Sequence, residues 1–130
     1  MKTRNIILIG SLSLASILNG MSNELKQSFA KANGAFSILT NNLTKATLEK
    51  AKYQIEISIA LVKDKDCEDE DVAIHYAGLL GDLEFAQILE NWLQNPGNKE
   101  QTEELRNLAL SSCIYLPIVQ KAFKQKGVQF

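Results

Sequence analysis

Histidine, proline and cysteine are scarce in this sequence. Its 130 residues include one histidine, two prolines and two cysteines. Catalysis by a nucleophile, a histidine and an acid needs a histidine, and His75 is the only one in the chain. It follows Asp71 by four residues, so an i,i+4 ion pair on a helix accounts for it without catalysis. We therefore expect a protein that is not an enzyme and has no catalytic residues.

Motifs for cofactors and metals are also missing. The sequence contains no C-x-x-C-H haem motif and no glycine-rich phosphate loop. Asp64, Asp66 and Glu68 alternate as at the start of a calcium-binding loop. However, Asp69 stands where that loop needs a glycine, and His75 stands where it needs its last glutamate. We therefore predict no cofactor and no metal site.

Stretches that alternate with period two, which would indicate strands, are not found in the sequence. Apolar residues instead recur at spacings of three and four, as on one face of a helix. The sequence therefore predicts an all-α fold, a small single-domain bundle of about five helices. The predicted helices span residues 24–39, 44 or 47–63, 68–80, 83–94 and 99–115, and a short last helix covers 118–125.

Four residues mark the predicted helix ends. Asn23 is expected to cap the first helix. Gly81 is expected to end the third helix, and Asp82 to start the fourth. Pro117 is expected to break or kink the fifth helix, because proline lacks the backbone N–H that a helix interior uses. Trp92, on the apolar face of the fourth helix, is predicted to lie in the core.

The first 22 residues have the pattern of a secretory signal peptide. Lys2 and Arg4 precede an uncharged apolar run, residues 6–18, which is shorter than the roughly 20 residues of a membrane-spanning helix. Small residues at Gly20 and Ser22 fit a cut before residue 23. We therefore predict a signal peptide at 1–22, a helical domain at 23–130 and a periplasmic or secreted location, with no stable membrane span after cleavage.

Other interpretations of the first residues stay open. Ser13 and Ala15 offer an earlier cleavage site. The apolar run is also compatible with an uncleaved anchor or a buried N-terminal helix.

The two cysteines, Cys67 and Cys113, fit a disulfide if the chain is exported. An oxidising compartment favours the bond, and two cysteines allow one intramolecular pairing. In the chain-entropy model, closing the loop of residues 67–113 would stabilise the fold by roughly 4 kcal/mol. The alternative is two unrelated buried thiols, which applies if the chain stays in the cytosol.

Charge is distributed unevenly along the chain. Residues 1–63 hold eight basic and three acidic residues, and residues 64–104 hold two basic and twelve acidic ones. Residues 105–130 hold four basic residues and no acid. Removing Lys2 and Arg4 with a signal peptide changes the net charge from −1 to −3. Since the mature chain is acidic and its basic residues are not interleaved with aromatics, we predict no nucleic-acid binding.

The acidic block has two interpretations. Four acids at residues 68–71 would fill the first turn of a helix, where the helix dipole favours negative charge. One or two acids would satisfy that dipole, so a surface facing a protein partner explains the full run equally well.

The segment "ILENWLQNPGNKEQTEELRNLALSSCIYL" resembles the C-terminal part of periplasmic immunity proteins that protect bacteria against type VI secretion cell-wall amidases. The similar features are an aromatic–Leu pair at Trp92 and Leu93, a polar turn, and a helix that carries Cys113. The resemblance implies a toxin inhibitor that occludes a secreted cell-wall-degrading effector. It implies partner contacts at Asp66, Glu68, Asp69, Asp71, Asn95 and Asn98, and leaves a homodimer open.

Two other classes compete with the inhibitor. "CED" at residues 67–69 is similar to the start of the first helix of periplasmic acid-stress chaperones, which are small, helical and closed by one disulfide. In such a protein, acid would discharge the acidic block and expose apolar binding surfaces. A hydrolase is the third class, and the single histidine argues against it.

Overall fold

A computed structural model describes residues 22–65 and 70–130, and within these residues the fold is all helix. The five helices found there are α1 (Asn23–Ile38), α2 (Lys45–Lys65), α3 (Glu70–Gln94), α4 (Lys99–Ser111) and α5 (Tyr115–Gln125). The described residues form no strand. The prediction of a small all-α bundle is therefore confirmed.

Helix α1 begins one residue earlier than the sequence suggested. Ser22, not Asn23, is the N-cap, because its hydroxyl accepts a hydrogen bond from the backbone N–H of Leu25 at 3.3 Å. The carbonyl of Ser22 also accepts the N–H of Lys26 at 3.0 Å. Asn23 is already helical, so the predicted cap was off by one position.

Helices α1 and α2 form a hairpin around a short turn. Thr44 and Thr47 cap the start of α2 reciprocally, with each hydroxyl accepting the other residue's backbone N–H at 2.9–3.1 Å. In the interface between the two helices, the buried hydroxyls of Ser28 and Ser58 are 2.6 Å apart and hydrogen bonded. Two hydroxyls in an apolar interface satisfy each other, which removes most of the cost of burying them.

Helix α3 is one continuous helix where the sequence predicted two. Gly81 does not end it, and Asp82 does not begin another. The buried positions continue through this point at spacings of three and four, so unbroken packing outweighs the cost of about 1 kcal/mol for a helical glycine. The buried residues of α3 are Val72, His75, Gly78, Leu79, Asp82, Phe85, Ala86, Leu89 and Trp92.

The continuous helix changes which residues face inward. Leu80 is 43% exposed and Tyr76 is half-buried, so neither belongs to the buried face of α3. His75 and Asp82 lie on the buried face instead, although both were expected at polar positions. Two titratable groups therefore belong to the core.

The α4–α5 connection also differs from the prediction. Helix α4 ends at Ser111, and the extended Ser112 accepts the backbone N–H of Tyr115 on its hydroxyl at 3.4 Å. Pro117 lies in the first turn of α5, where backbone N–H groups have no partner within the helix. Proline is tolerated there, so Pro117 neither breaks nor kinks a helix.

Aromatic contacts set the relative directions of the helices. Phe29 of α1 stacks on His75 and Phe36 lies edge-on to Phe85, so α1 and α3 run in the same direction. Trp92 stacks on Phe123 of α5 with ring centroids 4.8 Å apart, and its indole N–H donates to Thr102 of α4. The prediction of Trp92 as a core residue is confirmed, since it is fully buried.

Helices α3 and α4 differ in length by a factor of about two. At 1.5 Å per residue, the 25 residues of α3 extend about 37 Å and the 13 residues of α4 about 20 Å. Helix α4 therefore covers only part of α3. Its first turn contacts the C-terminal end of α3, where Trp92 donates to Thr102.

We expect Gly81→Ala to stabilise the protein. A β-carbon at this position would meet only the hydroxyl of Tyr115, at an ordinary contact distance of 3.8 Å. Because alanine has a higher helix propensity, the free energy of unfolding in urea should rise by up to about 1 kcal/mol.

Two matched glycine variants control this measurement. Gly34→Ala lies within α1 with open space around a new β-carbon, so it should stabilise similarly. Gly127 has a φ of +70°, so Gly127→Ala should destabilise the fold. A loss of stability in Gly81→Ala would contradict an unstrained, continuous α3.

Candidate functional site

The predicted contact residues fall at the two ends of α3. Asp66, Glu68 and Asp69 lie outside the described residues, as does Cys67 of the predicted disulfide. Asp71 is exposed in the first turn of α3. Asn95 follows the last residue of the same helix and is also exposed.

One helix separates Asp71 from Asn95. Twenty-four residues at 1.5 Å each place them about 36 Å apart along the axis. That separation follows from the continuity of α3, since a break at Gly81 would have allowed the chain to fold back. Asp71 and Asn95 therefore do not share one patch, and a partner would meet them on separate surfaces.

Asn98 has a structural role in the turn that follows α3. Its side-chain oxygen accepts the backbone N–H of Gln101 at 2.9 Å, which caps α4. Its carbonyl accepts the hydroxyl of Thr102 at 2.7 Å, and that hydroxyl oxygen accepts the indole N–H of Trp92 at 2.8 Å. These bonds fix the start of α4 against the core, whereas Asn95 is free to contact a partner.

The exposed face of α4 continues from this turn and forms an acidic surface that the sequence reasoning did not single out. We call it the α4 outer surface, and its residues are Glu100, Gln101, Glu103, Glu104, Asn107, Leu108, Leu110 and Ser111. The spacing of residues 100, 103 and 104 was the available signal, since it places three acids on one helical face.

The charges of the α4 outer surface are largely uncompensated. Glu103 pairs with Arg106 on the same helix. Glu100 and Glu104 are exposed and make no ion pair with any other residue that the structure describes. Leu110 is 69% exposed on the same helix, the largest exposure among the large apolar side chains that the structure describes. Leu110 lies six residues beyond Glu104 and about 120° around the helix from it, so the unpaired acids and the leucine occupy different sides of the exposed part of α4.

A buried carboxyl lies in the middle of α3. The hydroxyl of Tyr115 donates a hydrogen bond of 2.8 Å to Asp82. The Tyr115 ring stacks on Phe85, with centroids 4.1 Å apart and planes at 1°. Burial raises the pKa of Asp82 to about 7, and the hydrogen bond from Tyr115 lowers it by less. Burial, and then the charge of Asp82, raises the pKa of Tyr115.

His75 is the second buried titratable group. Its side chain stacks on Phe29 with centroids 4.5 Å apart, and its Nδ1 atom is buried without a hydrogen-bond partner. Burial lowers the pKa of His75. The i,i+4 ion pair with Asp71 stays a prediction.

The chemistry available to the described residues is limited. Among them, no group of three or more His, Cys, Asp or Glu side chains is placed to hold a metal ion. Cys113 is exposed and bonded to no described residue, so its predicted bond to Cys67 stays a prediction. None of the helices in the described part of the chain is long and apolar enough to cross a membrane.

Comparisons with known proteins give no relative. No protein-family model matches the chain, and neither a curated protein nor a solved structure is significantly similar to it.

We expect Asp82→Asn to stabilise the protein, and increasingly so as pH rises. The folded state holds the Asp82 proton up to pH 7, whereas the unfolded state releases it near pH 3.8, so wild-type stability falls across this window. The amide carries no charge and still accepts the Tyr115 hydroxyl. The difference in free energy of unfolding between Asp82→Asn and the wild type should grow from about pH 4. It should level off above about pH 7, at a value on the order of 4 kcal/mol.

Glu84→Gln is the matched control, because Glu84 is an exposed acid on the same helix. Urea unfolding at several pH values should show a nearly constant difference between this variant and the wild type. A pH-independent effect of Asp82→Asn would contradict the raised pKa.

Proposed function

We propose that this protein is an exported inhibitor that binds a secreted cell-wall-degrading effector through the α4 outer surface and the adjoining turn at Asn95. The observation that carries the proposal is the unpaired acidic charge of Glu100 and Glu104 on the exposed face of α4, a helix whose Leu110 is 69% exposed. Acids at the rim would steer a basic partner, and the exposed leucine supplies apolar area that a complex would bury.

The geometry of this surface suits occlusion. Helix α4 is fixed to the core at one end by the bonds among Asn98, Thr102 and Trp92, so it presents a rigid convex element. A rigid helix pays little ordering entropy on binding and can enter a cleft. The resemblance to immunity proteins of type VI secretion amidases in this part of the sequence names the effector class.

Export and the disulfide belong to the same proposal. A disulfide between Cys67 and Cys113 would tie the residues before α3 to the α4–α5 connection. Cleavage after Ser22 would remove the hydroxyl that caps α1, at a cost of about 1 kcal/mol, whereas cleavage after Ala15 would keep it. The intact mass of protein recovered from a bacterial periplasm would give both the N-terminus and the state of the two thiols.

We expect the chain to protect bacteria from at least one cell-wall amidase. The test co-expresses it with a panel of type VI secretion amidases directed to the periplasm and measures survival. The purified chain should also form a complex with that amidase and block its hydrolysis of peptidoglycan. Glu100→Lys/Glu104→Lys should slow association about tenfold at low salt, because it reverses the steering charge.

Glu49→Lys/Glu56→Lys makes the same charge change on exposed positions of α2 and should leave protection intact. If no amidase in the panel is inhibited, the inhibitor function is contradicted. If inhibition occurs but both double variants behave as the wild type, the function stands and the α4 outer surface is not the contact.

One observation favours an acid-stress chaperone as the second candidate. Protonation of His75 at low pH would place a charge against Phe29 in the interface between α1 and α3, where its Nδ1 has no acceptor. Charging a buried group without a partner favours opening of the interface and exposure of apolar surface.

For the chaperone we expect binding of a hydrophobic dye to rise as the pH falls from 7 towards about 3. His75→Gln cannot be charged in this range, so it should keep the dye excluded to a lower pH. Dye fluorescence that stays at its neutral-pH level throughout would rule this candidate out, whereas a rise shared equally by both proteins would assign the opening to other groups.

A further inference from the structure

A second surface lies between α1 and α2, on helices that take no part in the α4 outer surface. Lys31, Ala35 and Ile38 are spaced four and three residues apart on α1, and they line one side of a groove of about 310 Å³. Lys50 and Gln54 of α2 line the other side. We call this the α1–α2 groove.

The α1–α2 groove combines apolar and basic character. Ile38 is 45% exposed, and Tyr53, three residues along α2 from Lys50, is 63% exposed. Lys31 and Lys50 are exposed, and neither makes an ion pair within the described part of the chain. Two free ammonium groups near exposed apolar side chains fit a helix that carries unpaired acids and an exposed apolar residue.

The α4 outer surface has that composition. It presents Glu100 and Glu104 without ion-pair partners and Leu110 with most of its side chain in solvent. Residues 100, 104 and 110 extend over about 15 Å of helix. The two surfaces are thus opposite in charge. Each also has an exposed aliphatic residue, Ile38 or Leu110, whose removal from water in a contact is favourable.

We propose that the α1–α2 groove of one copy binds the α4 outer surface of a second copy. Helix α4 packs on α3 and α5, whereas the groove lies on α1 and α2, so both surfaces are available on one molecule. An interface between two different surfaces is heterologous, and each added copy leaves one groove and one α4 outer surface open. The assembly therefore grows with concentration rather than stopping at a symmetric dimer.

Exposed ion pairs supply much of this contact, so the self-association is weak and sensitive to salt. Self-association also covers the α4 outer surface, through which the proposed inhibitor would bind its effector. An effector and a second copy would then compete for the same helix, and self-association would act as a store of inactive inhibitor. The self-association itself does not depend on the effector being correctly identified.

Sedimentation velocity of the purified protein, with its N-terminus verified by intact mass, measures the assembly. At an ionic strength of about 0.01 M, the weight-average mass should rise with protein concentration to at least twice the monomer mass. At about 1 M salt, where charges are screened beyond about 3 Å, the same samples should be monomeric.

Charge reversal tests both surfaces. Lys31→Glu/Lys50→Glu and Glu100→Lys/Glu104→Lys should each be monomeric alone at low salt, since each then juxtaposes like charges. An equimolar mixture should associate again, because the native acidic α4 of the first variant meets the native basic groove of the second. Lys45→Glu/Lys124→Glu carries the same net charge change as the first variant on exposed residues away from the groove, so it should associate as the wild type does.

Three results would overturn the proposal. The first is a wild-type protein that stays monomeric to millimolar concentration at low salt. The second is self-association that survives both double reversals, which would place the interface elsewhere. The third is a mixture of the two reversed variants that fails to associate while circular dichroism shows both to be folded.

Discussion

The unbroken burial of one face of α3 is the constraint on which the other contacts depend. Helix α1 meets this face through Phe29 and Phe36, and Tyr115 and Phe123 bring α5 to it. The hydrogen bond between Trp92 and Thr102 then places the start of α4. Helix α2 packs along α3 as well, with Lys52 paired to Glu90. A break in α3 would misplace all of these partners at once, so the continuous helix is stabilised by the packing of the other four.

The length of α3 also sets how charge is displayed. Its first turn carries the end of the acidic run, and its last residue leads directly into the acidic α4. Asp71 and Asn95, at the two ends of α3, are about 36 Å apart along the axis, which is several Debye lengths at physiological salt. Charges at these two ends therefore act independently. Leu110 of α4 is the most exposed of the large apolar side chains that the structure describes.

Much of the fold could be predicted from the sequence, because apolar periodicity reports local burial directly. The exception at Gly81 has a physical reason. A glycine followed by an aspartate is a stop signal when the residues around it are exposed, but tertiary packing overrides a preference of about 1 kcal/mol. The pattern at Phe85, Leu89 and Trp92 continues the register of Val72 and Leu79, and only the packed structure shows that both belong to one helix.

The candidate sites were harder to predict for a related reason. A histidine and an aspartate are polar by type, so the sequence analysis explained His75 by an ion pair with Asp71 and Asp82 by the start of a helix. Their burial depends on partners far away in sequence, Phe29 for His75 and Tyr115 for Asp82. The spacing of residues 100, 103 and 104 could have predicted three acids on one face of α4. That this face is exposed could not be predicted, because exposure depends on how all the helices pack.

The two buried titratable groups act in opposite directions when the solution is acidified. Asp82 takes up its proton in the folded state near pH 7, so stability gains as the pH falls to about 4, where the unfolded carboxyl also becomes protonated. His75 has a lowered pKa, so stability is lost as the pH falls below 6.5, where the unfolded histidine begins to bind a proton. Below pH 6.5 the two contributions have opposite signs, and the gain from Asp82 ends at about pH 4. Proton uptake by Asp82 therefore opposes acid opening at His75 down to about pH 4.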